Sequence, residues 1–142
     1  MAYNFLASGV QWIPWSPTGD PLDATRLVDE IGIKATAVRN GAITVKLPQT
    51  RGINLSNGAL LIRYHAAHPL AVVMTLTASP KVFQNEIFIR FDITDTEKEI
   101  RIPMPATPGL EGVSELVMRF GDDHTPLPVD LTITGFEFVP AR

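Results

Sequence analysis

Charged side chains recur on the polar side of several alternating segments, and they are the residues of this chain best placed to do chemistry. Five of them lie on three segments: Arg63, His65, Arg90, Asp92 and Arg119. If the segments are neighbouring strands of one sheet, the arginines form a cationic row, which Thr75, Thr77 and Phe88 could join. Guanidinium groups bind carboxylates and hydroxyl-rich partners through paired hydrogen bonds. The alternative is a solvated face with ion pairs worth less than about 1 kcal/mol each.

A polar loop at residues 121–128 contains Asp122, Asp123 and His124. An aspartate next to a histidine can orient a general base. However, no serine lies in a Gly-x-Ser-x-Gly elbow, and the chain has no cysteine, which excludes thiol nucleophiles, thiolate metal sites and disulfides. A hairpin tip is the ordinary explanation of this loop, and we predict that the protein is not an enzyme.

Two histidines, His65 and His68, are three residues apart, which is a spacing that zinc sites use. Zinc needs three or four protein ligands, and His124 is the only histidine that remains. We therefore interpret the spacing as chance.

Composition fits a single globular domain spanning residues 1–142, with 45% hydrophobic and 19% charged residues. The net charge of −3 and the scattered basic residues argue against nucleic-acid binding. No apolar segment reaches the length of a membrane span, and residues 1–7 lack the basic start of a signal peptide. The chain is thus either cytoplasmic or a mature or excised part of a secreted protein.

Alternation of apolar and polar residues is the dominant pattern of the chain and predicts half-buried antiparallel strands. We predict about nine, at residues 10–15, 34–39, 42–47, 59–66, 71–78, 86–93, 99–104, 116–120 and 129–139. Turn signals between them recur about every ten residues, as in β-sandwiches. The prediction is an all-β, two-sheet antiparallel sandwich of the jelly-roll type with at most one short helix.

Local signals add detail to this fold. Asn40-Gly41 between two alternating segments predicts a hairpin with a type I′ turn. A change of phase in the last strand predicts a β-bulge at Gly135. Asp20 could begin a helix of a turn or two that ends before Gly32, and the alternative is an extended loop.

Four segments in the C-terminal two-thirds follow a familiar order of strand types. They are LSNGALLIRY at 55–64, IRIP at 100–103, VSELVMRF at 113–120 and VDLTITGFEFVP at 129–140. In this order the chain resembles the galactose-binding-like jelly-roll domains, which include many carbohydrate-binding modules. That family also includes adhesion modules and purely structural domains.

The resemblance implies a non-catalytic module that binds carbohydrate by aromatic stacking and polar contacts, outside the cell or at its surface. Trp15, which is flanked by prolines, is the candidate platform. Trp12 and Tyr64 share the parity of apolar neighbours and are expected in the core. Polar partners would come from the arginine-bearing face or from loop residues, namely Asp20, Gln84, Asn85, Asp122 and His124.

A structural Ca²⁺ is the only cofactor that the resemblance implies. The candidate donors are Asp20, Asp23, Asp130 and Glu137. Calcium takes six to eight oxygen ligands, and no loop of this chain has an Asp-x-Asp ladder.

A second function of a different class is a structural subunit that assembles with itself, as in a filament, a coat or a capsid decoration. The contacts would be sheet edges, which accept an added strand, and apolar terminal residues. These are Phe5, Leu6, Phe136 and Phe138. Possible partners are therefore carbohydrate or other protein subunits, including a second copy of the chain.

Overall fold

A computed structural model describes residues 2–78, 81–121 and 124–141, with the side chains of 81–85 excepted. The described residues form eleven strands and confirm the predicted all-β class. In chain order they are β1 (Tyr3–Asn4), β2 (Gln11–Trp15), β3 (Asp23–Arg26), β4 (Ile31–Val38), β5 (Gly41–Lys46), β6 (Gly58–Ala66), β7 (Leu70–Ala78), β8 (Lys81–Phe91), β9 (Lys98–Met104), β10 (Val113–Phe120) and β11 (Leu127–Pro140). The two that sequence patterning missed are the short strands β1 and β3.

The strands form two antiparallel sheets. The six-stranded sheet has the order β3-β4-β11-β6-β9, and β1 pairs with the second half of β11. The five-stranded sheet has the order β2-β5-β10-β7-β8. The chain passes from one sheet to the other at most of its connections, and this topology confirms the predicted two-sheet sandwich.

Aromatic packing joins the two sheets near the N-terminus. The Phe136 ring of β11 lies 4.6 Å from the ring of Phe5 and 5.9 Å from that of Trp12 in β2, centroid to centroid. The indole Nε1 of Trp12 donates a hydrogen bond of 3.0 Å to the carbonyl oxygen of Phe5. Edge-to-face contacts of this kind add to the free energy gained from burial alone.

This packing corrects the expectation that the apolar terminal residues serve a partner subunit. Phe5, Leu6, Phe136 and Phe138 are all buried within the chain's own core. Their apolar surface is already removed from water, so it offers no driving force for association. The prediction of these terminal contacts was wrong.

The predicted hairpin at Asn40-Gly41 was also wrong, although the turn itself is present. Asn40 has a positive φ of 52°. However, β4 pairs with β3 and β11, whereas β5 pairs with β2 and β10 in the other sheet. The turn therefore redirects the chain across the edge of the sandwich instead of pairing its two flanking strands.

The segment at residues 20–32 contains no helix, so the short helix that Asp20 could begin is not formed, and the extended alternative is the correct one. Its centre is β3, which pairs with β4. The Arg26 guanidinium donates hydrogen bonds to the carbonyl oxygens of Leu6, Ala7 and Val10, and so ties this edge strand to the N-terminal turn. The single helical element of the described residues is the 3₁₀ turn Pro108–Leu110. The described residues include no helix with the length and apolar character of a transmembrane span.

The bulge predicted at Gly135 is confirmed. The register between β11 and β6 shifts between Ile133 and Gly135. The Arg63 side chain lies over Gly135, where an added Cβ would come within 2.6 Å of its Nε. Arg63 also lies 4.0 Å from the carboxylate of Glu97, which accepts a hydrogen bond from Thr134.

Gly58 of β6 lies very close to β11, and this contact allows a prediction about stability. A Cβ at this position would lie 2.6 Å from the Phe138 ring and would also meet the backbone carbonyl oxygen of Val139. Because these atoms belong to the core and to the neighbouring strand, Gly58→Ala should reduce the free energy of unfolding by about 1–3 kcal/mol, as overpacking typically does.

The measurement is urea unfolding, and Gly32→Ala is the matched control. Gly32 is also a strand glycine, but its nearest neighbouring atom lies 3.9 Å from the added Cβ. We expect the control to change stability by no more than about 0.5 kcal/mol. Equal effects of the two substitutions would contradict this packing argument.

Candidate functional site

One row of residues crosses the outer face of the five-stranded sheet in register. Trp15 pairs with Ala42, Ala42 with Arg119, Arg119 with Val73, and Val73 with Phe88. Alternation along each strand puts these five side chains on the side away from the core. At a spacing of about 4.8 Å between strands, the row extends about 19 Å from the Trp15 edge to the Phe88 edge.

A cleft of about 490 Å³ lies over this row, and every row residue except Phe88 lines it. Trp15, Pro17, Glu86 and Arg119 are among its lining residues. Small residues also line it: Gly41, Ala42, Ala71 and Gly121. Its volume is in the range of sites that bind small molecules.

Large apolar side chains are exposed on this face. The exposed fraction is 56% for Trp15, 78% for Phe88 and 43% for Ile13. Single exposed apolar residues are common, but Ile13 and Trp15 are neighbours on one face of β2 and form a patch, and exposed apolar patches mark binding surfaces. Trp15 and Phe88 lie on the two edge strands, so they flank the face from opposite sides.

Arg119 lies in the middle of the row. Its Nη1 donates a hydrogen bond of 3.2 Å to the hydroxyl of Thr75. Within the described ranges, no carboxylate oxygen lies within 4.0 Å of its guanidinium nitrogens. Because guanidinium has five N–H donors, most of its hydrogen-bonding capacity is left for a ligand.

Asp20 anchors the loop that provides Pro17 to the cleft. Its Oδ2 accepts hydrogen bonds from the Thr18 hydroxyl at 2.6 Å, from the Arg39 backbone N–H at 3.2 Å and from the Arg39 Nε at 3.4 Å. The Thr18 hydrogen bond, followed by those from Arg39, holds the pKa of Asp20 below its ordinary value. The loop therefore has a charge-dependent attachment to the turn at residues 39–40.

The predicted row of three arginines is not formed. Arg63 lies on β6 of the six-stranded sheet, on the opposite side of the sandwich from Arg119. Arg90 shares the face of Arg119, but its Nε donates to the carboxylate of Asp92 at 2.8 Å. Of the three arginines, only Arg119 lines the cleft. Thr75 is its hydrogen-bond partner, and Phe88 lies further along the row.

The remaining predicted residues are dispersed. His65 is exposed on the outer face of the six-stranded sheet, and His124 is exposed in the polar loop. Asp122 lies outside the described residues. Gln84 and Asn85 belong to β8 and not to a loop, although their side chains are not described. Trp12 and Tyr64 are buried, as predicted.

The four candidate calcium donors do not converge. Asp23 and Asp130 lie on either side of Lys34 in register, Asp20 is bonded to Thr18 and Arg39, and Glu137 is seven residues along β11 from Asp130. In the described part of the chain, no three acidic or histidine side chains are grouped to hold a metal ion. A lysine between two of the donors does not fit a calcium site, which requires an oxygen cage.

Several residues of the site were missed from the sequence. Ala42, Val73 and Glu86 line the cleft, and Ile13 extends the exposed apolar patch. Strand parity gives their face correctly, but their proximity depends on the order β2-β5-β10-β7-β8, which no local signal in the sequence specifies.

Solved carbohydrate-binding modules have a similar architecture. A family 29 carbohydrate-binding module from Piromyces equi matches with a TM-score of 0.62 and 10% identity, over 93% of this chain and 80% of that one. The chain has the fold of a carbohydrate-binding module. A variant of a family 29 module complexed with cellulohexaose matches with a TM-score of 0.63 and 10% identity, over 97% of this chain and 89% of that one.

An agarase provides a third match, with a TM-score of 0.68 and 10% identity. The match covers 99% of this chain but only 25% of the agarase. No protein family model and no curated protein sequence matches this chain. The structural comparisons therefore show its fold and confirm the resemblance at that level.

The Asp20 anchor predicts a pH-dependent contribution to stability. Because the folded-state pKa is lowered, the contribution is complete above the ordinary aspartate pKa of about 3.9 and is lost as pH falls through the lowered value. We expect Asp20→Asn to unfold at lower urea than the wild type at neutral pH. The difference in urea midpoint between Asp20→Asn and the wild type should disappear at pH values below the lowered pKa of Asp20.

The control for general acid effects is Asp29→Asn, since Asp29 is exposed and lies outside the anchor. Its urea midpoint should follow that of the wild type throughout the pH range. A constant difference between Asp20→Asn and the wild type at all pH values would contradict a role for the Asp20 charge.

Proposed function

We propose that the protein is a non-catalytic carbohydrate-binding module whose ligand lies on the outer face of the five-stranded sheet. The observation that supports this most strongly is the in-register row in which Trp15 and Phe88 flank Arg119. It combines flat apolar surfaces with a central hydrogen-bond donor on one rigid sheet.

Trp15 and Phe88 provide the apolar part of the proposed site. A sugar ring has a face of C–H groups and a rim of hydroxyls, so it can cover an aromatic ring while its hydroxyls remain hydrogen-bonded. Burial of exposed aromatic surface is favourable by about 25 cal/mol for each Å². The site thereby uses surface that otherwise remains in contact with water.

Arg119 and Glu86 provide the polar part. The guanidinium donates hydrogen bonds and the carboxylate accepts them, while a sugar hydroxyl can do both. Hydrogen bonds to charged groups are worth about 1.5–3 kcal/mol, more than those between neutral groups. Both residues line the same cleft as Trp15, so a bound glycan can contact all three.

The fold supports binding as the function. Family 29 carbohydrate-binding modules match almost the whole chain, and one of them is complexed with cellulohexaose. We accordingly propose a binding role without a catalytic step, located outside the cell or at its surface where polysaccharides occur. Single-site affinity is expected to be weak and to increase when several modules bind one polysaccharide.

Trp15→Ala tests the proposed site, and Phe88→Ala tests how far a ligand extends across the row. Trp15→Ala removes an aromatic surface worth about 1.5–3 kcal/mol when covered, so we expect it to weaken binding by about 10- to 100-fold. Isothermal titration calorimetry with cello- and agaro-oligosaccharides, after a screen on a glycan array, provides the measurement.

Val28→Ala is the control, because Val28 is exposed in the β3–β4 loop and lies away from the row. Thermal unfolding should be close to that of the wild type for all three variants, since none of these side chains is in the core. The proposal fails if no glycan binds, or if Trp15→Ala binds as the wild type does.

A further inference from the structure

A second cleft opens on the same outer face, at the other end of β2, β5 and β10. Its volume is about 380 Å³, and Gln11, Lys46, Gln49 and Glu115 are among the residues that line it. Gln11 pairs with Lys46 and Lys46 with Glu115, so three polar side chains stand side by side on adjacent strands. This polar cleft is distinct from the cleft that contains Trp15.

The two clefts are connected along the strands. Gln11 is four residues from Trp15 on β2, and Glu115 is four residues from Arg119 on β10, which corresponds to about 13 Å in each case. Ile13, Thr44 and Val117 form an in-register row between them on the same face. A single hexose ring cannot reach both clefts, whereas a linear oligosaccharide aligned with the strands can.

The side chains of the polar cleft are available for a ligand. Lys46 and Glu115 are paired in register, yet no ion pair joins them, and Gln11, Lys46 and Glu115 have no side-chain hydrogen bond to any other described residue. Gln49 is oriented by the Tyr3 hydroxyl, which donates to its Oε1 at 2.8 Å. Its amide nitrogen makes no hydrogen bond to a described residue.

Charge on this face is balanced within each cleft. Arg119 and Glu86 are the described charged residues of the first cleft. Lys46 and Glu115 are those of the second. A polyanionic ligand would meet one attractive and one repulsive group at each end, so it gains no net long-range attraction. Paired donors and acceptors of this kind suit an uncharged ligand rich in hydroxyls.

We infer that the ligand is an uncharged linear polysaccharide that lies along β2, β5 and β10 and occupies both clefts. Trp15 and Arg119 hold one part of the glycan, and Gln11, Lys46 and Glu115 hold another part further along the same glycan. This inference rests on the proposed carbohydrate-binding function and adds the class of ligand, its direction on the sheet and a second group of contact residues.

The test is calorimetry with cello- and agaro-oligosaccharides of increasing length. Wild-type affinity should rise from the disaccharide to the hexasaccharide, because only the longer ligand reaches both clefts. Gln11→Ala and Glu115→Ala should each weaken hexasaccharide binding by about 3- to 10-fold, as expected for the loss of one or two hydrogen bonds, and leave disaccharide binding unchanged. Trp15→Ala should weaken both.

Arg101→Ala is the control, since Arg101 is exposed on β9 of the other sheet. Raising the salt concentration should leave hexasaccharide affinity unchanged, because the inferred ligand is uncharged. The inference is overturned if affinity does not depend on length, if Gln11→Ala and Glu115→Ala bind the hexasaccharide normally, or if an acidic polysaccharide binds better than a neutral one. In each of those cases the proposed function still stands if a glycan binds the wild type and Trp15→Ala abolishes that binding. Failure of all glycans would overturn that function itself.

Discussion

The burial of Trp12 between the two sheets determines which side of β2 meets solvent. Its indole ring packs on Phe136 and its N–H is satisfied by the carbonyl oxygen of Phe5, so it has both an apolar and a polar reason to stay inside. Side chains alternate along a strand, and residues three apart lie on opposite faces. With Trp12 held in the core, Trp15 is necessarily exposed on the face where the cleft opens.

The same constraint applies strand by strand to the rest of the face. Met118 is buried and Arg119 is exposed on β10, while Ile89 is buried and Phe88 is exposed on β8. The packing of the core on one side of the sheet thus determines which residues are exposed on the other side.

Most of the fold was predictable from alternation, because each long strand buries one face. β1 and β3 were missed because they are short, and a strand of two or four residues has too few positions to show a period. The Asn40-Gly41 turn was identified, but the pairing around it was not. Alternation tells which residues point inward, whereas the choice of neighbouring strand depends on contacts between residues far apart in sequence.

The candidate site was predictable only in part for the same reason. Trp15 was singled out by its proline-rich surroundings, and Phe88 and Arg119 by their parity. The grouping of Arg119 with Arg63 failed because parity is relative to a strand's own sheet, and β6 and β10 belong to different sheets. The small residue Ala42 has no distinctive pattern, yet it keeps the surface between Trp15 and Arg119 low.

The five residues of the row are attached to five hydrogen-bonded strands, and this attachment has a thermodynamic consequence. Backbone held in a ladder has little freedom left to lose when a ligand arrives, so the entropic penalty of association is borne mainly by the ligand and by a few side chains. A stiff extended glycan would therefore be favoured over a flexible one of equal length and equal contact area. Because the protein side of the site is rigid, the site selects among glycans by their stiffness.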